Sequence, residues 1–425
     1  MKNRMIVISA DAMMREDLEL FLTMPNAKRV FAHAARPRRL RSVLPTLTYP
    51  CHATLLTGCR PERHGVWMNT VFSPGNPGPE WNWERGQNAV KDDLLFAARR
   101  SGRMTASVFW PTTGKHPAVD WLIPEYWPQG AEDSLEAAMR RMGSPPEVLE
   151  ILRRRSDGIR IDRHPAADFF AAECACEILK AFRPGLLLLH PANIDEARHR
   201  YGAKSSEARR AVEETDEMLG MLFSAAQETG DAEQTDFVLV SDHGQRDIRR
   251  VFCPNVLLRQ EGLIRGGPDG RQADWDAYCH TEGMFATVHL KDPGDAALRR
   301  RVEALLRGLP EERTGIARVA DAAELVTAPA QAGFAFALLS DGETAFGSGT
   351  TGALLREDIP GGQRATHGYP PDIGPDPVFL GAGPGFARDA VTEEMNLEDV
   401  APTLAAVLGT KLPEAQGIVR RELLA

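Results

Sequence analysis

Three aspartates and three histidines stand at positions that suit metal chemistry: Asp11, Asp195, His199, Asp242, His243 and His367. Apolar runs lead into several of them. "MIVISA" (Met5 to Ala10) ends at Asp11, and "DFVLVS" (Asp236 to Ser241) ends at Asp242 and His243. "LLLLH" (Leu186 to His190) leads toward Asp195 and His199, and "RATHGYPPD" supplies His367 beside a glycine. A carboxylate and an imidazole at the mouth of a buried strand are costly unless something binds them. Singly, each has an ordinary reading. Asp11 could cap a helix, Asp195 and His199 are four apart and could form a surface ion pair, and His367 could be a loop histidine. Together, with four of the six at or just past predicted strand ends, they point to a metal site. Carboxylate and imidazole without cysteine suit zinc first, then manganese or iron. Six ligands exceed the three that a catalytic zinc usually takes from protein. Two divalent metal ions are the simpler reading, because a pair about 3.5–4 Å apart can clamp both the attacking and the leaving oxygen of a phosphoryl displacement.

Such a site lacks only a nucleophile. "LPTLTYPCHATLLTGCRPERHGVWMNT" (Leu44 to Thr70) begins with turn residues and becomes helical near Cys51, which puts Thr48 at a helix N-terminus. An N-cap threonine is the ordinary reading. The same helix end also favours negative charge, so a threonine alkoxide and phosphate oxygens facing free backbone N–H groups would use one field. His52 and His64 lie in this stretch and are expected to pack against the nucleophile loop.

This stretch resembles the nucleophile segment of the type I phosphodiesterase/nucleotide pyrophosphatase family, within the alkaline phosphatase superfamily. Pro45, Thr46, Thr48, Pro50, His52, Thr54, Leu55, Thr57, Gly58, Pro61, Glu62, His64, Gly65 and Asn69 carry the likeness. The resemblance implies that Asp11, Thr48, Asp242 and His243 hold one metal, and that Asp195, His199 and His367 hold the other. It implies a Thr48 nucleophile and an Asn69 amide aimed at a phosphate oxygen. "FWP" (Phe109 to Pro111), with Trp110, looks like a family segment beside the site. The likeness covers residues 1–70, 104–111, 184–245 and 362–420, roughly half the chain.

Departures bear on substrate. Nucleotide-cleaving members place a tyrosine where this chain has His190, whereas Tyr49 keeps an aromatic that could stack on a base. Tyr49, His190 and Trp110 are therefore the candidate substrate-binding residues. The resemblance implies hydrolysis of a small phosphate ester or phosphonate. The leading expectation is a phosphodiesterase or nucleotide pyrophosphatase working through a phospho-threonine. A phosphomonoesterase or a phosphonoacetate-hydrolase-like enzyme is the alternative, although the latter needs lysines and only Lys115 stands near. "CRPER" (Cys59 to Arg63) fits a sulfatase pattern, but "LTG" (Leu56 to Gly58) precedes the cysteine instead of following it. A non-catalytic, metal-stabilised binding module is a further class.

The elements that must position these residues read as strand–helix alternation. Strands are expected at Met5 to Ala10, Thr105 to Trp110, Leu186 to His190, Asp236 to Ser241 and Met284 to Leu290. Helices are expected at Lys91 to Ser101, Ala166 to Phe182, Ser205 to Gln227, Ala296 to Leu309 and Asn396 to Leu408. Continuous apolar runs fit strands buried on both faces. The expected fold is therefore α/β, a mostly parallel doubly wound sheet with helices on both faces, alkaline-phosphatase-like, with a small inserted cap. It is read as one catalytic domain over 1–425, with cap or insert regions at 112–165 and 252–360. Irregular stretches at Ser73 to Gly86 and Pro128 to Arg163 suit substrate loops and a helical cap. Arg265 to Tyr278 reads as a surface loop. Gly244 is expected to let the backbone turn sharply past a metal.

Composition limits the partners. The net charge of −9, with no lysine or arginine stripe, argues against a nucleic-acid polymer surface. The arginines of "RRRSDGIRIDRH" (Arg153 to His164) read as a solvated helix end. No apolar run of about 18 residues is present, so no membrane span is expected. The N-terminal apolar run is too short for a signal peptide. The six cysteines show no CxxC pair and read as free thiols in a reducing compartment. A cytoplasmic protein is expected, and a homo-oligomer is compatible with this composition.

Overall fold

A computed structural model describes residues 3–425, apart from 77, 131, 156–160, 162, 267–273, 327–332, 358, 360 and 361. Its centre is a six-stranded sheet. The strand order is Phe379–Ala382, Thr235–Val240, Arg4–Ser9, Leu186–Leu189, Thr105–Val108 and Trp121–Ile123. All neighbours pair in parallel except Phe379–Ala382, which closes one edge antiparallel to Thr235–Val240. Arg4–Ser9 lies in the middle, flanked by strands that come much later in the chain. Val7 pairs with Leu188 on one side and with Val238 on the other.

Both faces of this sheet are covered, which is why its strands are apolar without alternation. Ile6, Ile8, Leu187, Leu189 and Leu239 pack into one hydrophobic layer with helices Ala166–Phe182 and Ser206–Glu228. Met5, Val7, Leu186, Leu188 and Val238 pack on the other side with helices Thr48–Thr57, Leu94–Arg100 and Val400–Val407. The architecture is a doubly wound α/β fold. In such sheets a ligand site lies beyond the carboxyl ends of the strands.

Several elements differ from the sequence expectation. The run from Met284 to Leu290 does form a strand, Phe285–Leu290, but outside the parallel sheet. It belongs to a four-stranded antiparallel sheet with Ala277–Glu282, Phe336–Ser340 and Ile316–Asp321. A tight turn at Gly283, with φ +54°, joins its first two strands, and a turn that short permits only antiparallel pairing. Helix Ala296–Arg307 buries Val302 and Leu306 against this second sheet. The expected helix at Asn396 to Leu408 is shorter: a strand, Val391–Asn396, runs into a single 3-10 turn and then helix Val400–Val407. The helix expected from Lys91 starts at Leu94, where Asp93 accepts the N–H groups of Leu95 and Phe96.

Within Pro128 to Arg163 stand two short helices, Leu135–Arg141 and Pro146–Arg155. Arg153 and Arg155 are paired with Glu136 and Glu177 there, so these arginines of the cluster form a salt-bridged surface. Half of the loop read at Arg265 to Tyr278 lies outside the described residues; its flanks form a short antiparallel pair, Ile264–Arg265 with Asp274–Trp275. No described helix is long and apolar enough to cross a membrane. All six cysteines are buried and unpaired.

Candidate active site

Asp11 follows the central strand and Asp242 with His243 follows its neighbour, so the parallel register brings them together. Their ligand atoms, one from each residue, all lie within 4.8 Å of one another. His243 Nε2 is 3.1 Å from Asp242 Oδ2 and 3.6 Å from Asp11 Oδ1. Burial raises the Asp11 carboxyl well above the usual carboxylate range, and Asp242 beside it adds to the effect. Burial likewise pushes Asp242 up to about 7 and His243 down to about 4. Asp11 Oδ1 and Asp242 Oδ2 are buried with no hydrogen-bond partner. Two orphaned carboxylate oxygens converging with an imidazole nitrogen form a donor set that a divalent cation would complete.

Asp195, His199 and His367 form a second group, again within 4.8 Å. Asp195 and His199 lie one turn apart on helix Asn193–Tyr201, with His199 Nε2 3.2 Å from Asp195 Oδ2. His367 Nε2 is 3.8 Å from Asp195 Oδ1. Burial opposes ionisation of Asp195, but the neighbouring His199 and His367 hold its carboxyl well below the usual range. The rings of His243 and His367 stack with centroids 4.0 Å apart, which joins the two groups.

All three histidines turn the same nitrogen away. His243 Nδ1 is 3.2 Å from the Gly244 carbonyl, His199 Nδ1 2.8 Å from that of Ala365, and His367 Nδ1 3.1 Å from that of Thr46. An Nδ1–H donating to a carbonyl leaves the Nε2 lone pair facing the carboxylates, which is the tautomer a metal ligand needs. The donor set therefore fits two oxygen- and nitrogen-ligated divalent ions.

Thr48 is the first residue of helix Thr48–Thr57, with Leu47 at the cap position, so it is not an N-cap threonine. Its Oγ1 is 3.2 Å from His243 Nε2. Of the first-turn donors, the Tyr49 N–H is not free. It donates to Asn69 Oδ1 at 2.9 Å. That bond orients the Asn69 amide and leaves its NH₂ for the cavity Asn69 lines. Asn69 is itself held from behind: Glu282 accepts its backbone N–H at 2.6 Å and that of Thr70 at 2.8 Å.

Thr48, Asp11, Asp195, His199 and His367 line one cavity of about 440 Å³, whereas Asp242 and His243 are buried beside Asp11 and do not line it. Tyr49 and His190 line it. Tyr49 is buried, with its ring 5.4 Å from Trp81. His190 is more than a wall, because its Nε2 is 3.2 Å from Asp11 Oδ2 and its Nδ1 is 3.2 Å from the Phe109 carbonyl. Trp110 does not face the cavity. It is buried edge-on to His52, and the left-handed backbone of Phe109 (φ +55°) turns Phe109 into the cavity instead. His52 bridges Thr48 O and Ser9 Oγ beneath Thr48, and His64 is held by Thr54 and the Val66 N–H, so both pack against this segment. Lys115 is exposed and paired with Glu84 at 2.7 Å. Gly244 has no left-handed backbone; its missing side chain matters because a Cβ there would stand 2.7 Å from Pro375 and 2.9 Å from Met14.

Sequence reasoning missed Glu125 and Trp127, which also line this cavity. Burial pushes the Glu125 carboxyl up to about 8. Its signal was the one that found Asp11: "WLIPE" is a short apolar strand, Trp121–Ile123, running into an acid. Glu282 was missed as well. It closes a hairpin strand far along the chain, and only the tertiary fold brings it to Asn69.

The sheet order, the site beyond the parallel strand ends and the paired Asp/His groups define an alkaline-phosphatase-like α/β protein. The sequence pattern of the type I phosphodiesterase / nucleotide pyrophosphatase family matches residues 5–344, and the chain belongs to that family. It is 26% identical over 280 residues to ectonucleotide pyrophosphatase/phosphodiesterase 1 of Saccharomyces cerevisiae, a match spanning 59% of this chain and 33% of that protein. It is 25% identical over 220 residues to human ectonucleotide pyrophosphatase/phosphodiesterase family member 1, spanning 49% and 20% respectively. The chain thus spans a third or less of the length of these curated relatives. Among solved structures, murine ectonucleotide pyrophosphatase/phosphodiesterase 5, as an inactive threonine-to-alanine variant in complex with AMP, superposes with TM-score 0.68 at 17% identity over all of both chains. That likeness concerns the fold.

Proposed function

We propose that this protein is a two-metal hydrolase of small phosphodiesters that acts through a covalent phospho-threonine on Thr48. The observation that carries this reading is the meeting in one cavity of Thr48 with Asp11, the cavity-facing member of the first Asp/His group, and with all three residues of the second. Asp11, Asp242 and His243 with Thr48 would hold one divalent ion, and Asp195, His199 and His367 the other; bound there, the ions would supply Lewis acidity that eases deprotonation of an alcohol and offsets charge on phosphate oxygens. Zinc suits these donors best.

The residues divide the work. Thr48 loses its hydroxyl proton, its Oγ forms a bond to phosphorus, and the bond to the leaving oxygen breaks on the opposite side. Water then attacks phosphorus, the bond to Thr48 Oγ breaks, and the threonine regains a proton. Asn69 offers its amide N–H groups to an equatorial oxygen, a contribution of about 3 kcal/mol per donor in comparable sites. Tyr49, Trp81 and Phe109 exclude water and pack the retained organic group.

Among the described residues, no lysine or arginine lines the cavity. A phosphomonoester dianion or the second acid of phosphonoacetate would meet only the His164 imidazolium there, already paired with Asp168, which favours diesters over those alternatives. A sulfatase reading is disfavoured by Cys59. It lies past the far end of the ten-residue helix that starts at Thr48, about 15 Å along the axis. The Cys59 thiol lies 3.1 Å from the Glu414 carbonyl, in hydrogen-bond contact, and burial raises its pKa. Residues 112–165 would serve as the cap, because Glu125 and Trp127 come from it, and 252–360 as an insert that supports the site. The six unpaired cysteines suit a reducing, cytoplasmic compartment.

Zinc- or manganese-loaded protein should hydrolyse bis-p-nitrophenyl phosphate faster than p-nitrophenyl phosphate, and leave p-nitrophenyl sulfate and phosphonoacetate intact. Thr48→Ala or chelation should lower diester turnover at least about a thousandfold. Turnover that survives Thr48→Ala would remove the covalent step. Sulfate turnover lost in Cys59→Ala would overturn the reading altogether.

A further inference from the structure

We infer that Glu282, at the hairpin of the antiparallel insertion, is a positioning residue that holds Asn69 in register with Thr48. This rests on the hydrolase reading above, in which Asn69 faces a phosphate oxygen. The chain of contacts is short. One carboxylate spans two consecutive backbone donors, Oε2 taking the Asn69 N–H at 2.6 Å and Oε1 the Thr70 N–H at 2.8 Å. The Thr70 hydroxyl also donates to Glu282 and lies 2.8 Å from His280 Nε2, which fixes the segment from a second strand position. The Asn69 side chain then accepts from the Tyr49 N–H at 2.9 Å, the residue next to the nucleophile. Glu282 thus acts on the amide of Asn69 through its backbone and on the first helical turn through its side chain.

The same hairpin reaches the second Asp/His group. Met284 N–H donates to the His367 carbonyl at 2.8 Å, and a Cβ on Gly283 would stand 2.2 Å from that oxygen. Three consecutive residues of the insertion therefore touch the backbone of Asn69 on one side and of His367 on the other. A carboxylate accepting two N–H groups is a strong and directional clamp. Its placement beside a donor meant for phosphate gives it more to do than hold a loop, since small misplacement at a reacting centre is costly.

The test is a double-mutant cycle of Glu282→Gln and Asn69→Ala on the metal-loaded protein, read by kcat and KM for bis-p-nitrophenyl phosphate. Glutamine puts an NH₂ donor where one of the two accepting oxygens stood, facing a backbone N–H, so Glu282→Gln should lower kcat about tenfold with KM within twofold. Added to Asn69→Ala it should cost nothing further. Glu282→Asp, which keeps the charge but is one methylene shorter, should fall between, and it serves if the glutamine variant fails to fold. Amide hydrogen exchange at Asn69 and Thr70 should quicken in both Glu282 variants, a readout independent of turnover. Losses that multiply in the double variant, or a lowered Tm with kcat unchanged, would overturn the inference. If Asn69→Ala itself left kcat unchanged, the role given to Asn69 would fail, not the clamp, whose exchange readout would still stand or fall alone.

Discussion

The two Asp/His groups border one cavity, the first through Asp11 alone, and are built in opposite ways. Asp11, Asp242 and His243 are wholly buried at the ends of adjacent core strands, and two of their carboxylate oxygens have no partner. Asp195 and His199 are part-exposed on one helical turn, joined by the loop residue His367, and their polar atoms satisfy one another. Gln245 adds its amide, donating to the Asp195 carboxylate and, at 3.0 Å, to its carbonyl. The first group is a cost to the metal-free fold, and the second holds itself together. A buried polar group without a partner costs about 1–3 kcal/mol, so the first site has more to gain from a cation.

The sharpest way to break that comparison is to measure stability without metal. Asp242→Asn removes a buried charge, keeps an oxygen for the Ala12 N–H and should raise the Tm of metal-free protein. The cost relieved is about 1–3 kcal/mol. His199→Asn removes the nearest imidazole partner of the Asp195 carboxylate, leaving Gln245 and His367, and should lower that Tm by a similar amount. With metal present, each variant should lose about one bound equivalent by elemental analysis and nearly all turnover. If both variants shift the metal-free Tm in the same direction, the two groups are not built differently.

That contrast also explains what the sequence made legible. Asp11, Asp242 and His243 follow uninterrupted apolar strands, so period and position exposed them together. The parallel sheet was legible for the same reason, because burial on both faces leaves no alternation. Phe285–Leu290 has the same apolar character, yet it pairs antiparallel across Gly283, and composition does not encode a strand's partner. Trp110 and Phe109 are neighbours of one type. Which of them faces the cavity depends on a left-handed backbone at Phe109 that no residue pattern announces. Glu282 meets Asn69 across more than two hundred residues, so nothing local marks it.

Support behind the ligands should differ too. In the first group, Asp242 is steadied by a backbone donor, the Ala12 N–H, which substitution does not reach. In the second, the donor to Asp195 is the Gln245 side chain, which substitution removes. Partners behind a metal ligand typically change affinity by about 10–100-fold. Gln245→Ala should therefore weaken one of the two zinc equivalents by at least about tenfold in a chelator titration and leave the other within twofold. Equal weakening of both would mean that the stacked His243 and His367 rings couple the groups more tightly than their separate supports divide them.

The smallest effect is expected at the outer edge of the second group. His164 Nδ1 lies 2.7 Å from Asp168 Oδ2, and Asp168 in turn accepts the Ala192 N–H ahead of Asp195. Burial works against the imidazolium, but the Asp168 hydrogen bond and charge, with Glu196 and Asp195 nearby, lift its pKa to about 9. A histidine raised above its unfolded value of about 6.5 adds stability that is fully present below pH 6.5 and fades as the pH rises through 9. The shift corresponds to about 3 kcal/mol at most, and since the ring is part-exposed, about 1–2 kcal/mol is the expected size. In urea unfolding of metal-free protein, His164 should account for about that much of the stability lost between pH 6.5 and 9.5, beside the loss from Glu125, whose carboxyl burial raises to about 8. His164→Gln should remove the His164 share of this slope, and Asp242→Asn should leave that share in place. A slope unchanged in His164→Gln would show that the charge on this side of the cavity is carried elsewhere.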